Sequence, residues 1–226
     1  MAKRVRGGPA PLKVGERRLV RMMNPQEKKL IEAAQRGDQS AMGLLLERYQ
    51  DRLYRVVLRM VSHRDDAAEV TQDAMLKVIK NISRFKGDSN ISTWMIRIAM
   101  NQSISHLRRR KLRKTTSLDQ TPGDDPNNRA MRHDLHDSSE PPPEMRVEQS
   151  EMVEILHRAL GMLAEDFRSV IVLRDIDQMD YQQIAEVLDI PTGTVKSRLF
   201  RARLALRQQM MQLCEPAPQE SPAAEN

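Results

Sequence analysis

Three groups of side chains in this 226-residue chain could do chemistry, and in each the chemistry is binding rather than bond making. The first is the run Lys196-Ser197-Arg198-Leu199-Phe200-Arg201-Ala202-Arg203. Val195, Leu199, Ala202 and Leu206 recur at helical spacing and define a buried stripe. With that stripe inward, at about 100° per residue, Ser197, Phe200 and Arg201 point outward. Lys196, Arg198, Arg203 and Arg207 fall on the flanks, and no acid interrupts them. A solvated helix face would account for the charges, but it gains nothing from Phe200. Duplex DNA uses both: an arginine can bond guanine, at about 1–3 kcal/mol of discrimination per bidentate pair, and a ring can contact a thymine methyl.

The second group lies on another helical pattern. Ile96, Ala99, Met100 and Leu107 share one side, while Trp94, Arg97, Asn101, Ser105 and Arg108 share the opposite stripe. A lone tryptophan usually belongs to a core, but here its stripe-mates are polar or cationic. An exposed indole beside arginine and asparagine suits stacking on an unpaired base, worth about 1–3 kcal/mol. The same pattern ends in Arg108-Arg109-Arg110-Lys111-Leu112-Arg113-Lys114, a density of charge suited to phosphate and to strongly salt-dependent binding.

The third group is acidic: Asp65, Asp66, Glu69 and Asp73, with Gln72 among them. A nuclease could hold a metal on Asp65, Asp66 and Asp73, yet two carboxylates on one helix face are common on surfaces. No other signal of a substrate pocket accompanies them. His133 and His136 form an H-x-x-H pair in a polar segment without further ligands, and the single Cys214 excludes a cysteine-based zinc site. No metal or cofactor is called for, and no catalytic residue.

The elements that must position these groups are helical throughout. Ile184, Ala185 and Leu188 give a short helix a buried face, Asp189 to Gly193 breaks it, and Thr192 or Thr194 can cap the next helix. Pro191 cannot continue a helix and biases Ile190 towards extended backbone. A short helix, a tight turn and a basic helix make a helix-turn-helix, whose second helix enters the major groove. Upstream, helices are expected near 26–36, 40–62, 65–80 (with Asp65 or Asp66 as cap) and 92–113. In the second of these, Leu44, Leu45, Tyr49, Leu53, Val56, Val57 and Met60 form the core face. The fold class is all-α, two small helical domains joined by a flexible linker. Residues 1–24 read as a disordered basic arm, 25–114 as the first domain, and 115–150 as an acidic, proline-stiffened linker. Residues 151–214 form the second domain and 215–226 a disordered tail.

Composition agrees. The chain is 39% apolar but only 3% aromatic, with 15 methionines against 9 glycines, which fits helical cores of aliphatic residues and methionine. No run of 18 apolar residues exists, so membrane insertion is not expected. One cysteine suits a reducing cytoplasm. The net charge of +6 is segregated: residues 25–114 carry nineteen basic against ten acidic side chains, whereas 115–150 carry three against eight. A basic first domain, an acidic connector and a basic C-terminal helix imply nucleic acid contacted at two places.

Three blocks together resemble bacterial RNA polymerase sigma factors of the extracytoplasmic-function (ECF) group of the sigma-70 family. They are Asp66 to Asp73; Phe85-Lys86-Gly87-Asp88-Ser89 with Thr93 to Asn101; and Leu173-Arg174-Asp175 through Gly193 to Arg203. The resemblance spans about residues 25–210. It implies a subunit that binds core RNA polymerase and promoter DNA and promotes melting. Asp66, Glu69, Gln72 and Asp73 would dock on the largest catalytic subunit. The loop 85–91, with Phe85, Lys86, Ser89 and Asn90, would capture a flipped base of the −10 element, and Trp94, Arg97, Asn101 and Arg108 would line the strand-separation point. Thr194, Lys196, Ser197, Phe200, Arg201 and Arg203 would read the −35 element. The connector would thread the channel that later holds RNA, and an anti-sigma factor is a partner known for many such proteins. Ala68 and Met75 depart from the acid and phenylalanine more usual there, and Asp189 stands at a turn position commonly glycine. The competing reading is a helix-turn-helix activator that is not integral to polymerase. It would need a receiver-type sheet in the first domain, and no strand pattern is visible there.

Overall fold

The computed structural model describes residues 24–116 and 143–214, with side chains described to Arg113 and again from Glu151. The N-terminal arm, most of the connector and the C-terminal tail, including His133 and His136, lie outside the described residues. Among those described there are eight α-helices and no strand. The first domain holds α1 (Pro25–Gln35), α2 (Gln39–Val61), α3 (Arg64–Asn81) and α4 (Ile91–Thr116), with a 3₁₀ turn at Ile82–Arg84. The second holds α5 (Pro143–Met162), α6 (Glu165–Ile171), a π-helical segment at Val172–Ile176, α7 (Tyr181–Leu188) and α8 (Thr192–Cys214).

Local chemistry sets most boundaries. Asn24 accepts the Gln26 amide and Pro25 opens α1, where a missing N–H costs nothing. Asp38 caps α2 through the Ala41 amide, and Ser62 ends it in left-handed backbone. Helix α3 corrects the expected cap: His63 holds the N-cap position without a side-chain bond, and Asp65 and Asp66 lie in the first turn, where the helix dipole favours carboxylates. Asp180 and Gln183 form a reciprocal capping box on α7. Asp189 takes φ 55° and ψ 48° at the turn, as an aspartate tolerates more readily than most residues. The Val195 amide bonds the Pro191 carbonyl, so Pro191 takes the N-cap position of α8, ahead of either threonine.

Helix α2 is the spine of the first domain. Leu45, Leu53, Val56, Val57 and Met60 are buried along it, and they meet Val70, Ala74 and Val78 of α3 and Met95, Ile96 and Met100 of α4 in one core. Leu44 is 56% exposed, against expectation, because it stands one position, about 100°, off the seam that Leu45 occupies. Helix α5 begins at Pro143, so helix extends into the segment read as connector; its run of prolines masks a favourable first helical position.

The two domains are docked on each other. Arg168, 6% exposed, donates to the carbonyls of Met60 at the end of α2 and of Gly161 and Leu163 at the end of α5. The last carbonyls of a helix lack partners and carry partial negative charge, so one buried guanidinium serves two helix ends. Arg52 on α2 pairs with both Asp177 oxygens at 2.8 and 2.9 Å and with Ser92 Oγ at 2.6 Å. Arg59 lies 3.3 Å from the ring of buried His157. Burial first, then the Arg59 charge, push the His157 pKa down to about 4.

Candidate nucleic-acid interface

Two outward faces result. On α8, Val195, Leu199 and Ala202 are buried against α6 and α7, with Leu206 half-buried, so the expected stripe is the core. Lys196, Ser197, Phe200 and Arg201 are exposed, Phe200 at 67%, and Thr194 is half-buried. Lys196 stands over the Tyr181 ring at 5.9 Å, and Arg174 stands over the same ring at 5.0 Å. Tyr181 thereby orients Lys196 along the start of the helix, a cation–π contact worth about 0.5–1 kcal/mol in the open. Arg201 reaches back only to the Ser197 carbonyl, at 3.4 Å. Arg203 differs from Arg201: both its Nε and Nη2 bond the carboxylate of Asp175. That pairing raises the Arg203 pKa and ties the fork to its own domain. Arg198 likewise faces Asp166 at 3.3 Å. Neither Tyr181 nor Asp175 carries a signal of its role in local sequence, because both act across a turn.

On α4 the polar stripe is also outward: Asn101, Ser105 and Arg108 are exposed, Trp94 and Arg97 half-exposed. Trp94 leans on Phe85, ring centres 5.3 Å apart. Phe85 and Ser89 are buried, and Asn90 Oδ1 accepts the Ser92 amide at the head of α4. Phe85 and Ser89 therefore shape the loop from within, while Lys86 and Asn90 are exposed on it. Gly87 turns the loop at φ 76°. Gln35 of α1 fixes it from below, donating to the carbonyls of Ile82 and Phe85 at 3.1 and 2.7 Å. Beside Trp94 lies a cleft of about 300 Å³ lined by Lys77, Asn81, Arg84, Ile98, Asn101 and Gln102. An indole, side-chain amides and two cations around one cleft offer stacking, hydrogen bonding and charge to a single unpaired nucleotide. Lys77, Asn81, Arg84 and Gln102 escaped sequence reading because they come from α3, the 3₁₀ turn and the inner flank of α4.

Helix α3 presents a third face. Glu69, Gln72 and Asp73 are exposed together with Leu76 and Ile79. Asp66 stands apart: it faces inward, with His106 and Arg110 of α4 both at 3.2 Å. Among the described residues no group of three metal-ligating side chains occurs, and no helix is long and apolar enough to cross a membrane.

Fold and faces thus define an all-helical, two-domain DNA-binding protein with a C-terminal helix-turn-helix. Its sequence matches Sigma-70 region 2 over residues 45–113 and Sigma-70, region 4 over residues 153–206. The RNA polymerase sigma-H factor of Pseudomonas aeruginosa is 34% identical over 192 residues, 85% of this chain and 97% of that protein. The ECF RNA polymerase sigma-E factor of Haemophilus influenzae is 36% identical over 77% of this chain and 89% of its own length. The sigma-E factor of Escherichia coli K12 is 35% identical over 78% and 90%. Two solved structures share the fold at 22% identity. CnrH in complex with the cytosolic domain of CnrY has a TM-score of 0.57, covering 84% of this chain and 99% of that one. RpoE in complex with the anti-sigma factor NepR from Bartonella quintana has a TM-score of 0.58, covering 76% and 98%. The chain belongs to the sigma-70 family and is an ECF sigma factor. It is a transcription initiation factor that binds core RNA polymerase and recognises −10 and −35 promoter elements.

Proposed function

We propose that the three faces divide that work between them. Glu69, Gln72 and Asp73, with Leu76 and Ile79 beside them, dock on core polymerase; Asp66 contributes by bracing α3 against α4. Carboxylates around an apolar strip suit a basic helical partner, giving orientation and rapid encounter. The α4 stripe of Trp94, Arg97, Asn101 and Arg108, with Lys86 on the loop above, holds the separated −10 strand, and Phe85, Ser89 and Asn90 give that loop its shape. Lys196, Ser197, Phe200 and Arg201 read the −35 duplex, and Arg203 and Thr194 hold the helix in position to do so.

The observation that carries this reading is the exposure of two aromatic–cationic faces on separate domains, one around a cleft and one on a recognition helix. A cleft suits an extruded base, and a convex helix suits an intact groove. We further infer action in the cytoplasm without catalytic activity of its own, and an anti-sigma protein as a regulatory partner. Run-off transcription with purified core polymerase and a randomised promoter library tests the whole: initiation should select templates bearing two short elements. Initiation from none, or selection of a single element unaffected by changes in α8, would refute the division of labour.

A further inference from the structure

The amides that line the cleft beside Trp94 differ in their freedom. Asn81, the last residue of α3, donates from Nδ2 to the Lys77 carbonyl at 2.8 Å. A carbonyl can only accept, so this bond fixes the amide: Nδ2 is tied to the helix and Oδ1 is left as an unused acceptor. Gln102 of α4 is only 8% exposed, yet its side-chain amide has no hydrogen-bond partner among the described residues. It is not walled off in the core either, so a group entering the cleft can reach it. A buried polar side chain without a partner costs stability, and one at the wall of a cleft is placed to be satisfied by what enters. Asn101 is exposed and also unbonded, so it adapts freely.

The bases fall into two patterns at the edge they offer such a wall. Adenine and cytosine carry an exocyclic amine beside a ring acceptor, whereas thymine and guanine carry a carbonyl beside a ring N–H. Gln102, unbonded, can turn its amide to suit either pattern. Asn81 cannot, because turning it would set Oδ1 against the Lys77 carbonyl and forfeit their bond. Its fixed oxygen accepts a hydrogen of an amine and repels the lone pairs of a carbonyl. The other groups of the cleft are indifferent to this choice. Lys77 and Arg84 suit the phosphate, with no acid among the lining residues, and Trp94 can stack on any base.

We propose that Asn81 is a specificity-determining residue, which with Gln102 selects an amino base, adenine or cytosine, over thymine or guanine at the nucleotide held against Trp94. This rests on the reading of the α4 stripe as the face that holds the separated −10 strand. Gln102 supplies affinity for whichever base enters, and Asn81 supplies the choice.

The test uses polymerase holoenzyme assembled with the full chain and single-stranded −10 oligonucleotides, with binding read by fluorescence anisotropy. Each position carries in turn the four natural bases, an abasic site, or purine, which is adenine without its amine. At one position an amino base should bind about 5- to 150-fold more tightly than thymine or guanine, and comparison of adenine with cytosine names the one selected. Purine should lose the advantage of adenine there. Asn81→Ala should collapse the preference, because amino bases lose an acceptor and keto bases lose a repulsion. Asn81→Asp keeps an acceptor oxygen and should keep the ranking of the bases. Gln102→Met should weaken all four alike, and the melting midpoint of each variant separates a lost fold from a lost contact. An unchanged ranking in Asn81→Ala, or adenine and purine bound equally, would overturn the proposal. Failure of the reading beneath it has a different signature: an abasic site would cost nothing at any position, and Trp94→Ala would leave affinity as it was.

Discussion

Replacing Arg168 with methionine isolates the energetics of the domain junction. Methionine fills similar space but cannot donate, so the carbonyls of Met60, Gly161 and Leu163 lose their common partner. A hydrogen bond from a charged donor contributes about 1.5–3 kcal/mol net, and leaving a buried acceptor bare costs about 1–3 kcal/mol. Three bonds to one group are not additive. Burial already disfavours the charge, lowering the Arg168 pKa, with Glu165 opposing only in part. The expected loss is therefore about 3–5 kcal/mol, comparable to breaking a buried ion pair. In a chain of this size each kcal/mol moves the melting midpoint by about 2–4 °C, so the midpoint should fall by roughly 10 °C. Because the guanidinium joins the end of α2 to the end of α5, calorimetry should also resolve the single transition into two. Arg168→Lys should fall between, since one ammonium cannot reproduce the fork. A change below about 1 kcal/mol would mean that water satisfies these carbonyls, and the account of one cation serving two helix ends would be wrong.

Arg201→Ala should reduce −35 duplex affinity by about 1–3 kcal/mol, roughly 5- to 150-fold, and relax base preference, measured by fluorescence anisotropy. Arg203→Ala should do so far less, because its fork is spent on Asp175; equal losses would dissolve the distinction between them. Trp94→Ala should impair promoter opening, followed by permanganate reactivity, more than initial duplex binding; equal loss of both together with a lower melting point would make the indole a core residue through its contact with Phe85. His157 is held neutral until about pH 4, whereas an unfolded histidine binds its proton near 6.5. The unfolded chain thus takes up more protons between those values, and stability should drain away as pH falls from about 6.5 towards 4. His157→Asn should flatten that part of the urea-midpoint profile, and an unchanged slope would place the acid sensitivity elsewhere.

Where a residue's role depends on its own helix, the sequence disclosed it. The buried stripe of α8 and the polar stripe of α4 derive from periodicity, and each is found in the structure. Roles set by a neighbour distant in sequence were not legible. Phe85 looked like a presented ring, but Trp94 and Gln35 fold its loop down, and nothing local to Phe85 announces either. Arg203 looked like its neighbour Arg201 until Asp175, 28 positions earlier, came within reach. Asp66 shares a helix with Glu69 and Asp73 but turns towards His106 and Arg110, about forty residues away. Leu44 and Leu45 compete for one seam, and only packing against the other helices chooses between them.

The π-helical segment at Val172–Ile176 has a consequence for how this domain can tolerate change in length. Its ladder steps five residues back, as in the bond from the Asp177 amide to the Val172 carbonyl, so it carries surplus chain relative to an ordinary helix. Excising one residue there would let the backbone relax into regular winding without a gap. The side chains of the segment beyond the excision would turn by up to about 100° as the surplus residue is taken up. Arg174 would leave the Tyr181 ring and Asp175 would leave Arg203, taking with them both braces of α8. A deletion that a local view scores as relief of strain would leave the helices intact and the outward face of α8 unbraced.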